Sequence, residues 1–347
     1  MLDRPRPRPS GIFELDDDEL IQRVAPGGPE AVWAFIERFD PERALERLVE
    51  LDVSAVCRHS RHYPERIRQL GDAPRVVFCT GSAERFAELA ARPAATLVGT
   101  RKPTPYGSEV ALTLGRGLTV AGITVVSGLA LGIDALAHRG ALECGAEPIA
   151  VLARGPEVAY PARHRGLYQR IREAGVVVSE LPPGTPPFRW CFPARNRIMA
   201  ALSAITVVVE AADPSGTLIT VEFAQDLGRV IGAVPGPITS RVAAGANRLL
   251  REGAATIRCT EDILDEIFGA GQGPDGKPRV TEPPPAVRLE PRLRAVLDGV
   301  ERGESAGEIA GRTGLPAGAV RAALGELELE GLIVPGAVGW YQRAASR

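Results

Sequence analysis

Three short segments of this 347-residue chain carry residue types suited to holding an anion. The first is Gly99-Thr100-Arg101-Lys102-Pro103, the second Ser127-Gly128-Leu129-Ala130-Leu131-Gly132-Ile133-Asp134, and the third Pro214-Ser215-Gly216-Thr217-Leu218-Ile219-Thr220. Each follows a short β-branched run and leads into a helical pattern. Glycine there lets a ligand approach the backbone, and free amide groups at a helix start favour negative charge. In the first segment two cations follow at once. A glycine turn at one strand–helix junction is commonly a packing device, but three in one domain point to a phosphate-rich ligand. Neither of the first two has the G-x-G-x-x-G spacing of a dinucleotide site or the G-x-x-x-x-G-K-[ST] spacing of a P-loop. That argues against a nicotinamide cofactor and against nucleotide hydrolysis, so no cofactor is expected.

Two further segments favour a long polyanion. Residues 188–197 contain Arg189, Arg195 and Arg197, interleaved with Trp190 and Phe192, and no acid. Within 160–172 lie Arg163, Arg165, Arg170, Arg172 and His164. An unpaired nucleic-acid strand needs cations for its phosphates and flat rings for its bases. The alternative is a solvated helix face with core aromatics, and for Trp190 and Phe192 the two readings balance. Arg195-Asn196-Arg197 reads as the opening of a helix ahead of the apolar run 198–202, where the ligand reading is favoured. Catalytic and metal readings are weaker. His59 and His62 lack further ligands of metal-site spacing. Ser127, Asp134 and His138 suggest a triad, but Asp134 and His138 at i, i+4 more simply form a structural helix pair.

These segments need a scaffold, and the chain's patterning supplies one. Apolar runs at 76–78, 95–98, 124–126, 149–152, 176–178, 206–209, 230–234 and 255–257 lack polar alternation, as strands buried on both faces do. Helical stretches such as 105–120 and 133–144 separate them. The resulting expectation is an α/β, Rossmann-like, doubly wound and mostly parallel sheet over residues 57–269, with the three loops at the carboxyl ends of strands. Residues 16–56 read as an all-helical SAM-like or helix-hairpin-helix module, with Asp40-Pro41 as a helix start. Residues 1–15, with Arg4, Arg6 and Arg8 among prolines, read as a disordered arm without a signal peptide's apolar stretch. Residues 270–288 read as a Gly/Pro-rich linker, and 289–347 as a winged helix. Its third helix, 317–330, offers Arg321 against Glu326, Glu328 and Glu330, which is poor chemistry for docking on a phosphate-lined groove.

The totals set loose bounds. Hydrophobic residues at 45% supply a core, and a net charge of −2 hides local asymmetry. Five dispersed cysteines suit a reducing compartment. No apolar run is long enough to span a bilayer, so a cytoplasmic location is expected.

Taken in order, several motifs resemble the signature of the DprA (Smf) DNA-processing family. They are Gly99-Thr100-Arg101, the segment 127–134, Phe192-Pro193-x-Arg195-Asn196-Arg197-Ile198, the segment 215–220, Val234-Pro235-Gly236 and the segment 247–254. The resemblance spans about residues 63–268. It implies a homodimer, formed through the Rossmann-like domain, that binds single-stranded DNA without turnover. It also implies protection of strands taken up in natural transformation and help in loading the RecA recombinase. Carried over, Arg101 is the central phosphate-gripping cation; Arg195, Asn196 and Arg197 line the same pocket, with Phe192 as a stacking ring and Arg189 as a further cation. Gly99, Thr100, Lys102, Ser127, Gly128, Ser215, Gly216, Thr217 and Asn247 complete the expected single-strand site. Thr100 stands where serine is usual, and the stretch 241–246 departs from the family's lead-in to Asn247. The Ser215-Gly216-Thr217 loop also faintly resembles the LOG-type nucleoside-monophosphate phosphoribohydrolases. There, however, the motif's glutamate lies three residues after the threonine, whereas position 220 is Thr and the acid is Glu222, turned by about 200° on a helix.

Overall fold

The computed structural model describes residues 29–273, 277, 290–329, 332–335 and 341–343. The arm at 1–15, the start of the helical module at 16–28 and most of the linker lie outside the described residues. The described chain divides into two units that meet at 270/271.

The first unit begins with helices α1 (Pro29–Arg38) and α2 (Pro41–Glu50). Asp40 caps α2 as its sequence suggests, accepting hydrogen bonds from the amides of Glu42 and Arg43, with Pro41 at the first helical position. The helical module does not run to residue 56. Asp52 adopts φ 51°, breaking the helix, and strand β1 (Val53–Cys57) follows, paired antiparallel with β2 (Val76–Thr80) from Val53 opposite Thr80. The three- and four-residue spacing of Val49, Val53 and Val56 imitates a helix. In the strand Val53 and Val56 are both buried, which cross-strand pairing permits and the helical reading missed.

Seven parallel strands build the rest of the sheet: β3 (Ala94–Val98), β4 (Thr124–Ser127), β5 (Ile149–Val151), β6 (Val176–Ser179), β7 (Ile205–Val208), β8 (Val230–Ala233) and β9 (Ala255–Thr256). The order across the nine strands is β1-β2-β6-β5-β4-β3-β7-β8-β9, with β2 antiparallel to β6. The chain moves outward on one side from β3 to β6, then crosses to the other side of β3 to continue with β7. Strand order therefore reverses beside β3, and in open α/β sheets ligands bind in the crevice at the carboxyl ends of such strands. The doubly wound, mostly parallel sheet matches the sequence expectation.

Helices cover both faces: α3 (Glu65–Arg68), α4 (Ala83–Ala91), α5 (Pro105–Val120), α6 (Ile133–Glu143), α7 (Arg165–Ala174), α8 (Cys191–Leu202), α9 (Leu218–Asp226), α10 (Ala244–Arg251) and α11 (Thr260–Phe268). One apolar layer joins Val98, Val126, Ile198, Leu202 and Val208; the other joins Leu97, Leu118, Val125, Ile133 and Val207. Such packing on both faces explains why the strands read as unbroken apolar runs. No helix among the described residues is long and apolar enough to cross a membrane.

The second unit is a winged helix: α12 (Pro291–Glu301), α13 (Ala306–Thr313), α14 (Ala317–Leu329) and the antiparallel pair β10 (Ile333–Pro335) and β11 (Tyr341–Arg343). Ser305 and Glu308 form a capping box at α13, and Gly314 ends that helix at φ 69°. Leu293, Val296, Leu297, Ile309, Val320, Leu324, Leu327 and Ile333 form its core. Glu326 of α14 takes a bidentate ion pair from Arg292 at 2.8 Å, so that acid is turned toward α12.

Candidate nucleic-acid interface

At the reversal point the loops after β3, β4 and β7 surround an open cavity of about 570 Å³ together with the first turns of α8. From the expected site, Gly99, Thr100, Arg101, Arg189, Phe192, Arg195, Asn196, Ser215, Gly216 and Thr217 line it.

The first loop is shaped from beneath by Glu210, just beyond β7. Its carbonyl accepts from the Thr100 amide at 2.7 Å, and its buried carboxylate accepts from the Thr104 amide at 2.9 Å and the Thr104 hydroxyl at 2.6 Å. Thr104 in turn caps α5. A Cβ on Gly99 would stand 2.5 Å from Ile133 Cγ1 and 2.8 Å from the Glu210 carbonyl, so this glycine serves close packing. The Thr100 hydroxyl accepts from the Lys102 amide at 3.2 Å and holds the turn. That turn presents Arg101 to solvent, its guanidinium carbon 5.6 Å from the centroid of the Phe192 ring, within cation–π range. Lys102 is exposed and does not line the cavity.

Arg195 has a different character. It is 7% exposed and donates to the carbonyls of Gly128 and Val151, each at 2.5 Å, and to Asn196 Oδ1 at 3.0 Å. Its remaining nitrogen lies 3.9 Å from Asp134, whose carboxylate accepts from the Gly128 amide at 3.1 Å. A Cβ on Gly128 would collide with this guanidinium. Burial pushes the Asp134 carboxyl up, opposed by Arg195, and burial likewise weakens Arg195's hold on its proton, opposed by Asp134. The pair joins the loop after β4, the end of β5 and α8 at the cavity floor. Arg195 is thus a strut whose edge borders the cavity, and the expected Asp134–His138 helix pair gives way to it. His138 is fully buried and neutral, its ring pushed by burial down to about 3. Ser127 is buried and donates to the Leu97 carbonyl at 2.6 Å.

Two more expected residues face elsewhere. Arg197 donates to Asp72 at 3.0 Å and to Glu180 at 2.6 Å, away from the cavity. Helix α8 opens at Cys191, four residues before Arg195, with Pro193 tolerated in its first turn. Arg195 and Arg197 therefore lie in the body of the helix on opposite sides, and one face cannot present both. Asn247 spans the loop after β8, donating to the Gly236 carbonyl at 3.0 Å and accepting from its amide at 3.1 Å.

The third loop remains available to a ligand. Nothing lies within 4 Å of a Cβ built on Gly216, and Thr217 ties the loop to β3 by donating to the Gly99 carbonyl at 3.1 Å. Helix α9 follows at once, so its unsatisfied amides add to the favourable field for an anion. Glu222 on α9 is exposed and outside the cavity, whereas the buried Thr220 lines it. Tyr160 also lines the cavity, 5.8 Å from Phe192 between ring centroids. In sequence Tyr160 merely opens the basic segment 160–172; tertiary contact alone sets its ring beside Phe192. Within that segment Arg172 meets Asp52 at 3.3 Å, while Arg163, Arg165 and Arg170 stay exposed. Among the described residues neither Arg101 nor Arg189 has an ion-pair partner, and no group of three metal-ligating side chains occurs.

Comparison with known proteins places the chain in a family. Residues 54–268, more than half of the chain, match the family model of DNA recombination-mediator protein A, and residues 280–337 match the DprA winged helix domain. The chain is 45% identical over 214 residues to the putative DNA processing protein DprA of Mycobacterium tuberculosis, covering 62% of this chain but 54% of that relative. It thus spans about half the length of that relative. It is 34% identical over 290 residues to protein Smf of Escherichia coli, covering 82% of this chain and 76% of that one. The X-ray structure of DNA processing protein A from Streptococcus pneumoniae superposes with a TM-score of 0.65 at 31% identity, covering 74% of this chain and 91% of the other. DNA processing protein A from Helicobacter pylori, whose structure concerns its single-stranded-DNA binding mode, gives a TM-score of 0.55 at 29% identity over 61% of this chain and 93% of the other. The chain belongs to the DNA recombination-mediator protein A (DprA) family.

Proposed function

We propose that this protein binds single-stranded DNA in the cavity at the carboxyl ends of β3, β4 and β7, as a recombination mediator without catalytic turnover. The observation that carries the reading is Arg101. It is an exposed guanidinium without an ion-pair partner among the described residues, set over the Phe192 ring in a cavity that the open Gly216 loop at the start of α9 also lines. That arrangement offers charge to a phosphate and a flat face to a base. The Helicobacter pylori relative supports the choice of ligand. In this reading the protein acts in the cytoplasm as a homodimer through its Rossmann-like domain, shields incoming strands and helps RecA load on them. The winged helix serves protein contact or regulation, since Arg321 is the lone cation of α14, which also carries Glu326 and Glu328.

A titration comparing single-stranded with duplex DNA tests the site, using the wild type and Arg101→Glu. The single strand binds more tightly, and Arg101→Glu weakens it at least tenfold while lowering the salt slope by about 0.7. Equal affinity for both DNA forms, or an unaffected variant, refutes the site. Sedimentation of the purified protein tests the dimer, and RecA filament formation on single strands coated with a competing binding protein tests loading.

A further inference from the structure

The loop that enters α8 carries two large rings outside the cavity. Phe188 is 49% exposed and Trp190 is 59% exposed, and their ring planes lie within 3° of parallel with centroids 6.4 Å apart. Between them in sequence stands Arg189, whose side chain lines the cavity, and two residues beyond Trp190 stands Phe192 under Arg101. Surface exposure on this scale would ordinarily favour burying the rings, yet the loop is held so as to present them. The Cys191 amide donates to the Phe188 carbonyl at 3.1 Å, and the Ala194 amide donates to the Trp190 carbonyl at 3.2 Å. Pro186 and Pro187 precede Phe188 and restrict its approach. Farther back, the Gly184 amide donates to Glu157 at 2.9 Å and the Gly155 amide to the Thr185 carbonyl at 3.2 Å, anchoring the loop to the segment after β5.

The geometry points to a second base-stacking subsite: the parallel Phe188–Trp190 pair receives a nucleobase of the same strand whose phosphate Arg101 and Arg189 grip. The inference rests on the single-stranded-DNA reading of the cavity. Continuity selects a base as the occupant. A cation that lines the cavity sits between the two rings in sequence, so a strand leaving the cavity past Arg189 brings its next base to the pair. Rings already parallel, on a main chain held by hydrogen bonds, need little rearrangement on binding, and stacking accepts any base. The footprint on one protomer then spans two aromatic stations, Tyr160–Phe192 within the cavity and Phe188–Trp190 at its edge.

Fluorescence-anisotropy titrations of a labelled oligo-dT at several salt concentrations test this, with the full chain as wild type, Phe188→Ala/Trp190→Ala, Trp190→Phe and Arg101→Glu. The double alanine variant binds about 5- to 150-fold more weakly, as expected for one lost stack. Its dependence of log affinity on log salt is unchanged, because no phosphate contact is removed. Trp190→Phe retains most of the affinity, since it keeps a flat face. The rings are exposed, so thermal melting should match the wild type and confirm that the loss is not one of folding. Wild-type affinity in the double variant, with Arg101→Glu still impaired, overturns the subsite, leaves the cavity reading standing and assigns the pair to protein contact. A reduced salt slope in the double variant also overturns it, since the rings would then be positioning a cation. If Arg101→Glu binds like the wild type, the cavity reading itself fails.

Discussion

Replacing Arg195 by methionine separates a ligand cation from a structural one. The wild-type guanidinium satisfies the carbonyls of Gly128 and Val151 and the side-chain oxygen of Asn196, and it stands 3.9 Å from the buried Asp134. Methionine fills a similar stem volume but leaves three acceptors unpaired and a carboxylate without its counter-charge. Breaking a buried pair from one side costs roughly 3–5 kcal/mol. For a unit of this size that corresponds to a fall of about 6–20 °C in apparent melting temperature. The pH dependence has a definite sign. Burial already holds the Asp134 carboxyl above its ordinary range, so its contribution is fully present below the unfolded value near 3.8 and is lost as pH rises through the folded value. Without Arg195 the upward push is greater, and the deficit of the variant deepens from pH 4 to pH 7. Adding Asp134→Asn removes the stranded charge and recovers part of the loss. Differential scanning calorimetry on the wild type, both single variants and the double variant closes the cycle. A methionine variant that melts with the wild type but no longer binds single strands would refute the strut and restore Arg195 as a direct phosphate ligand.

Two further outcomes follow from the same geometry. Arg197→Ala should cost about 1–3 kcal/mol through the orphaned Asp72 and Glu180, with single-strand affinity and salt slope unchanged in titration. His138 is held neutral, its folded value lowered from 6.5 to about 3, so its stabilising contribution is present above pH 6.5 and is lost as pH falls. The wild type should lose roughly 3 kcal/mol from this group between pH 7 and pH 4, read by chemical denaturation. His138→Leu should flatten that arm of the pH profile; an equally steep variant would exclude His138 as its source.

Much of the scaffold was legible from local pattern. Helix α5 at Pro105–Val120 and α6 from Ile133 follow the apolar periodicity residue for residue, and Asp40 and Pro41 mark the start of α2 as their side-chain chemistry dictates. Strand β1 was not legible, because the three-residue spacing of Val53 and Val56 follows the helical period, and only the pairing with β2 makes this segment a strand. The site divides in the same way. Three glycine loops announce an anion site in the sequence, but Gly99 and Gly128 serve the packing of Ile133 and Arg195, and Gly216 alone of the three faces open space.

What the sequence determined by itself was the alternation of buried strands and helices, the loops at their carboxyl ends, the family motifs and the supply of arginines near aromatic rings. These follow from short-range periodicity and composition. The tertiary structure decided which arginine meets which acid. Arg101 and Arg189 are left facing solvent, whereas Arg195 is claimed by Asp134 and Arg197 by Asp72 and Glu180. Arg195-Asn196-Arg197 is one motif in sequence, but a helix turns neighbouring side chains to different faces, and partners distant along the chain then fix what each does.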